Sequence, residues 1–478
     1  MAEVGEIVEA KALPSKRFFV NMLVRDIDLK DAILDLLDNC VDGILRSASP
    51  DLGAPRPYAG YRASIVICGD GFRITDNCGG IPYDTAVNKA FAVGNPDPIQ
   101  GADAVATVGM YGIGMKRAIF KFGESARVRS FSDVPFEVVI DRGWLNRDGW
   151  DPLPMEILPP EQFDGHGTSV EVRDLYLNVK SEFEREGFVQ DMVDAIARQY
   201  SIIINKGFSV SVSADFETDD SGNAPEVRPE RFRLLATQDG ADGPKLAPYI
   251  YRGEIDGVEI EVYAGLYREL PDEEEQDQAQ ETSGSADDAG WTVACNDRVV
   301  IWKDRGRLTG WGEYGVPNFH GQFIAITGIV LMRSANPGLL PLTTTKRGVD
   351  AGSDIYSKAK DLMREATKGL ASFTNKWKKF PESLEQLYLG AEYRELDSLQ
   401  ADAPPLRPVH GMPSVARSVP NLPVPASIRT DDRISFAAPK EKVAFLADIY
   451  FQDRTVKASK VGEHAFNLEY ARLAEAAE

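Results

Sequence analysis

Residues 31–43 read DAILDLLDNCVDG, and the interpretation of the whole chain turns on this stretch. Ile33, Leu34, Leu37, Val41, Ile44 and Leu45 recur at the period of an α-helix, which predicts one amphipathic helix from Leu29 to Leu45. Asp28 stands where a helix N-cap belongs. Asp35, Asn39 and Asp42 follow at i, i+4 and i+7 and share a second face, distinct from the apolar stripe. A carboxylate one turn from an amide can orient a water molecule and bind a hard cation through oxygen. The same spacing also suits a solvated polar face, so the triplet gains meaning only from its neighbours.

Working outward, Arg62 to Ile74 reads as a hairpin, two β-rich runs around Gly69-Asp70-Gly71. It leads into ITDNCGGI at 74–81, where Asp76 ends a strand beside two glycines. A carboxylate in that position can accept a hydrogen bond from an exocyclic amine, while Gly79 and Gly80 allow close approach to the backbone; an ordinary Asp-Asn-Gly turn reads the same way. Residues 109–116, GMYGIGMK, open a short helix expected from Met115 to Phe122 and stopped by Gly123. Three glycines before a helix N-terminus expose N–H groups and a positive dipole end to phosphate. The stretch lacks the GxxxxGK[ST] pattern and does not follow a strand in a βαβ unit, which excludes a Walker loop and a dinucleotide fingerprint. Finally, HGTS at 166–169 enters a strand through Val170 and Val172. There the Thr168 hydroxyl can support Asp76, and His166 reads as a turn residue.

In this order and spacing the four stretches resemble the boxes of the GHKL ATPase superfamily. DLLDNCVDG is similar to its ELxDNxxDA helix, DNCGGI to DxGxGI, GMYGIGMK to GxxGxGxK, and GTSV to its Gly-Thr motif. The resemblance implies a Bergerat-fold α/β sandwich that binds ATP and Mg²⁺. It matches Asn39 to the metal ligand, Asp35 to the general base, and Asp76, with Gly80 and Thr168, to the adenine-reading side. It matches Gly109, Gly112 and Gly114 to the phosphate loop, with Tyr111, Ile113, Met115 and Lys116 beside them, and residues 92–108 to a lid over the nucleotide. Two positions depart from the pattern. The base is Asp35 where the family usually has Glu, one methylene longer, which implies slow or regulated hydrolysis; Cys78 replaces the first glycine of the second box.

Further on, WTVACNDRVV at 291–300 reads as a strand run with an Asn-Asp-Arg turn and resembles the NxR strand of the transducer domain that follows the ATPase domain in MORC, MutL, gyrase and heat-shock relatives. Phe323 to Met332 reads as a second buried strand. In LPLTTTKRGVD, residues 340–350, Lys346 matches the transducer lysine that reaches a γ-phosphate. Among these relatives a MORC-like prokaryotic ATPase fits best, with MutL-like and chaperone-like forms as the others. The resemblance to MORC implies a clamp, in which ATP closes two amino-terminal domains into a homodimer.

Composition sets the outer limits. At 478 residues with 43% hydrophobic and 27% charged residues, the chain is expected to hold roughly three domains and to bury a core without staples. Four cysteines without a CxxC pair and four scattered histidines argue against a zinc site or disulfide framework and for a cytoplasmic protein. No signal peptide is expected, and the ten-residue apolar run at 323–332 is too short to span a bilayer. The net charge of −21 speaks against a broadly basic surface. Nine of the acidic residues fall between Glu269 and Asp288, however, in an expected loop. The region 355–380 holds seven Lys/Arg interleaved with Tyr356, Phe373, Trp377 and Phe380, and can contact a DNA backbone or serve as a packed helix with a solvated face. The expected class is α+β. An ATPase domain spans 1–215, a transducer-like domain with an acidic loop at 269–290 spans 216–385, and a Pro-rich linker spans 386–432. A helical tail, from two patterns at 442–451 and 464–474, fills 433–478.

Overall fold

The computed structural model describes residues 15–48, 50–52, 54–92, 114–147, 149–159, 165–215, 224–237, 245–272, 275–276, 288–343, 348–409, 412–425 and 434–475. The chain has mixed α+β architecture. Residues 1–425 form one compact unit and residues 426–478 a second. The expected boundary at 215/216 falls inside the first.

Helix α1 (Lys16–Arg25) precedes α2 (Leu29–Ala48), whose first turn is capped as expected: the Asp31 N–H donates to Asp28 Oδ1 at 3.1 Å. The hairpin β1 (Arg62–Cys68) and β2 (Gly71–Asp76) pairs Cys68 with Gly71, as the glycine-flanked turn predicts. Next come α3 (Gly114–Phe122), β3 (Gly123–Phe131), β4 (Phe136–Ile140), β5 (Met155–Ile157) and β6 (Gly167–Leu175). After them stand α4 (Phe188–Gln199), α5 (Ser201–Asn205) and β7 (Ser209–Ser213). The strands form one seven-stranded sheet in the order β5-β4-β3-β6-β2-β1-β7, antiparallel apart from the parallel β1–β7 pair. Burial alternates along β2 and β4, so one face enters the core while α2 and α3 pack together over the sheet. Gly123 ends α3 by a route the sequence did not suggest. It begins β3 directly, and a Cβ there would stand 2.8 Å from the carbonyl oxygens of Arg173 and Asp174 on β6.

The same unit contains a second seven-stranded sheet. It is built from β9 (Tyr249–Ile255), β10 (Val258–Leu266), β11 (Gly290–Cys295), β12 (Arg298–Asp304), β13 (Ile326–Arg333), β15 (Arg407–Val409) and β16 (Met412–Ser418), in the order β12-β11-β13-β10-β9-β16-β15. β13 is buried along almost its whole length, as the apolar run predicts, beginning at Ile326 after a 3₁₀ turn at Gly321–Phe323. Its Gly328 leaves room for the Trp291 ring of the neighbouring strand, which would lie 2.4 Å from a Cβ. The long helix α6 (Asp354–Trp377) packs on this sheet, and Thr367 of α6 accepts the Trp291 indole N–H at 3.0 Å.

The segment 386–432, expected as a Pro-rich linker, is folded over much of its length. Strand β14 (Ala391–Glu395) pairs with β8 (Arg233–Thr237), α7 (Leu396–Ala401) follows, and β16 adds to the edge of β9. Backbone pairing at a free sheet edge outweighs a composition that by itself favours an extended chain. The second unit contains α8 (Lys440–Phe451) and α9 (Ala458–Glu475), longer than the two sequence patterns that signalled them. They meet through Tyr450 and Phe451 around His464, with ring centroids 4.9 and 5.1 Å apart. Among the described residues no helix is long and apolar enough to cross a membrane.

Candidate nucleotide site around helix α2

α2 is buried on nearly every side. Its apolar stripe explains one face, but Asp35, Asp38 and Asp42 are buried as well, and Asn39 is only half-buried. Buried carboxylates need partners, because desolvating a charge is costly. Asp35 meets α3: a Cβ on Gly114 would stand 3.3 Å from the Asp35 Cβ, and Arg117, one turn further, forms an ion pair with Asp35 Oδ2. Asp38 points elsewhere. It accepts hydrogen bonds from the Tyr200 hydroxyl and from Arg298 Nε, the latter at 3.0 Å. The Asn39 side chain makes no hydrogen bond with any described residue.

β2 delivers Asp76 to the same helix. One oxygen accepts the Cys78 N–H at 2.7 Å and the other faces the Cys40 thiol at 3.4 Å. Burial pushes the Asp76 carboxyl above its ordinary range, against the pull of the Cys78 and Thr168 N–H groups and of the Cys40 thiol. Thr168 stands beside Asp76 with its backbone N–H toward the carboxylate. Gly167 makes this contact possible, since a Cβ there would fall 1.9 Å from the Asp76 carbonyl oxygen. Gly79 and Gly80 both have positive φ, +101° and +72°, which glycine adopts without strain. Gly80 also lies against the carbonyl of Phe131, 2.7 Å from where its Cβ would be. Cys78 turns its side chain into the core beneath α2.

Lys116 does not reach outward from the first turn of α3. It is buried, and its ammonium donates to the carbonyls of Ala90, the last residue of the π-helical turn Ala86–Ala90, and of Ala92 just beyond it. Burial lowers its pKa to about 8. Met115 packs half-buried against the core. Gly109, Tyr111, Gly112, Ile113 and Lys346 lie outside the described residues, as does nearly all of the expected lid at 92–108. The described ends of the Lys346 loop, Leu342 and Val349, form an antiparallel bridge.

The structure thus brings Asp35, Asn39 and Gly114 together at α2, sets Asp76 against Cys40 of the same helix, and places Thr168 beside Asp76 and Gly80 against Phe131 and Gly167. It also adds contacts that sequence reasoning missed. The two-residue turn between β11 and β12 places Asn296 and Asp297 at φ 47° and 64°, a geometry that Asn and Asp tolerate. Asp297 is buried and accepts hydrogen bonds from Lys206 Nζ at 2.6 Å and Arg333 Nε at 3.0 Å. Burial alone would raise its pKa, but Arg333 and Lys206 hold it below the usual carboxylate range. The next residue, Arg298, reaches Asp38 on α2. The Asn-Asp-Arg triplet was visible in the sequence; that its arginine would pair with this particular aspartate was not.

The aromatic residues of 355–380 also find their place. Tyr356, Phe373 and Trp377 are core residues of α6 against the second sheet, so they offer no stacking surface. Among the basic residues, Lys358 pairs with Asp256, and Lys360 and Arg364 pair with Glu313. All four cysteines are free thiols. No protein-family model matches the chain, and no curated protein matches it.

Proposed function

We propose that the chain is a Mg²⁺-dependent ATPase of the GHKL type, MORC-like, that works as a nucleotide-driven clamp on DNA or a partner protein. One observation carries the reading. Four stretches between residues 31 and 172 each resemble a box of that superfamily, and their described parts meet in a chain of contacts: Gly114 against Asp35 of α2, Asp76 against Cys40 of α2, and Gly167 against Asp76. Asp76, buried at the end of β2, accepts the exocyclic amine of adenine. The N-terminus of α3 presents N–H groups to the phosphates. Asp35 takes the proton of the attacking water, and Lys346 approaches from the second sheet's loop. Asn39, with a half-buried amide oxygen and no described partner, is the residue that would hold Mg²⁺, and the cation when bound neutralises charge on the phosphate oxygens.

The test is steady-state phosphate release together with calorimetric ATP binding. Asp35→Asn is expected to abolish turnover and leave ATP affinity within about threefold, whereas Asp76→Ala is expected to remove binding, in line with the loss of a buried hydrogen-bonding group. Full turnover in Asp35→Asn would overturn the assignment of the base.

A second reading, a nucleotide-gated interaction module with little hydrolysis, is favoured by the ion pair between Asp35 and Arg117. The guanidinium occupies the carboxylate oxygen that would otherwise face the attacking water. On this reading Arg117→Met raises phosphate release, and wild-type protein binds ATP with negligible turnover.

A further inference from the structure

A cavity of about 160 Å³ lies between α5, β12, β13 and the α7 segment, and none of the residues gathered around α2 lines it. Ile202, Phe232, Trp302 and Leu396 give it apolar walls, and Lys303 supplies a buried ammonium. The backbone aims that side chain. Two residues of β12, Trp302 and Lys303, oppose Thr292 alone on β11, and Lys303 has φ 49° in the left-handed region. A bulge of this kind redirects a side chain, and a non-glycine residue held there is a strained position of the sort that clusters at binding sites.

The cations around the cavity differ in their partners. Lys206 and Arg333 are both held by Asp297, and Arg231 pairs with Glu395 at 2.7 Å. Lys303 has one direct hydrogen bond among the described residues, to Thr327 Oγ1 at 3.1 Å, while Asp288 stands 3.9 Å away with an exposed side chain. An ammonium carries three donors, and beyond this one hydrogen bond Lys303 has only the charges of Asp288 and of the cavity-lining Glu230 to offset its burial, neither of them in direct hydrogen-bond contact. The same desolvation brings its pKa down to about 8. Its Nζ lies 5.5 Å from the Phe232 ring centroid and 5.3 Å from that of Trp302. A cavity of roughly 150 Å³ accommodates a benzene-sized body.

We propose that this cavity binds a small aromatic carboxylate, its carboxylate on the Lys303 ammonium and its ring between Phe232, Trp302 and Leu396. The ligand would join α5, β12 and α7, three elements that otherwise meet through a small satellite core. A neutral isostere leaves the ammonium uncompensated, and inorganic phosphate leaves the apolar walls unfilled.

Isothermal titration calorimetry of the full chain tests this with benzoate, benzyl alcohol and inorganic phosphate as probes. Benzoate is expected to bind with a stoichiometry of one, and both other probes at least about tenfold more weakly, the step that one good polar contact supplies. Lys303→Met keeps the aliphatic stem and is expected to weaken benzoate by about tenfold or more. Leu396→Trp fills the cavity, keeps the ammonium, and is expected to abolish binding. No heat at millimolar benzoate, equal binding of benzoate and benzyl alcohol, or equal binding of phosphate overturns the proposal. So does unchanged affinity in Lys303→Met with a native circular-dichroism spectrum. Should that variant not fold, unchanged benzoate affinity in Leu396→Trp overturns it instead.

Discussion

Gly43 sits in the middle of α2, where glycine is a poor helix former, and the reason lies across the interface. A Cβ there would stand 2.5 Å from the Cys78 carbonyl oxygen. Helix propensity alone predicts that Gly43→Ala stabilises by about 1 kcal/mol. The contact predicts the opposite, a loss of about 1–3 kcal/mol from overpacking, because the obstacle is backbone that cannot swing aside. Urea unfolding of the variant decides the sign. Lys116 gives a second expectation. Its folded pKa of about 8 lies below the ordinary value of 10.5, so between these values the unfolded chain binds more protons than the folded one. Stability therefore rises with pH across that window. Lys116→Met is expected to flatten the rise, which denaturant midpoints measured from pH 7.5 to 10 on both proteins would reveal.

At the scale of elements, the β11–β12 turn ties the second sheet to α2. Arg298 and Asp38 are both almost fully buried, and the Tyr200 hydroxyl donates to the same carboxylate. Removing one member of such a pair leaves an unpaired buried charge, so Arg298→Met is expected to cost about 3–5 kcal/mol. Replacing both, as Arg298→Met with Asp38→Leu, is expected to recover most of that loss. A denaturant-melt double-mutant cycle measures the coupling; a double variant as unstable as the sum of the singles would show that the two residues act independently. Asp38 lies one turn from Asp35 and beside Asn39, so the same substitution provides a route for the second sheet to influence the proposed catalytic helix. Arg298→Met is accordingly expected to lower ATP affinity as well as stability.

For the whole molecule, the net charge of −21 is a poor guide to partners because it is unevenly spread. Nine acidic residues fall in twenty positions from Glu269 to Asp288, while much of the basic character of α6 is neutralised by Asp256 and Glu313. Within 355–380, Lys368, Lys376, Lys378 and Lys379 form no ion pair with a described residue and are the ones left for the proposed DNA contact. In the second unit, Phe445, Ile449, Phe466, Tyr470 and Leu473 are exposed, more apolar surface than a helix pair ordinarily leaves to water. The clamp reading makes a direct prediction here. Light scattering with Mg²⁺ and a non-hydrolysable ATP analogue is expected to report a doubled mass relative to nucleotide-free protein, and Asp76→Ala is expected to show no such change. An unchanged mass in a protein that is monomeric at rest would count against closure into a dimer.

The sequence by itself determined the local elements around the proposed site. The 3.6-residue stripe of α2, its Asp28 cap, the Gly-Asp-Gly hairpin, the buried run of β13 and the Asn-Asp turn all depend on interactions within a few residues of chain. Periodicity, capping and turn geometry record such interactions. Tertiary structure alone decided three things. It turned Asp38 toward Arg298 while Asp35 met Arg117, it buried Lys116 under carbonyls of a distant turn, and it drew the Pro-rich segment after residue 386 into the second sheet. Each outcome joins residues far apart in sequence. A buried charge takes whichever opposite partner the packing brings near, and an unpaired sheet edge accepts a strand whose own composition favours none. Neither preference is written in the local pattern, because both are settled only when desolvation must be compensated.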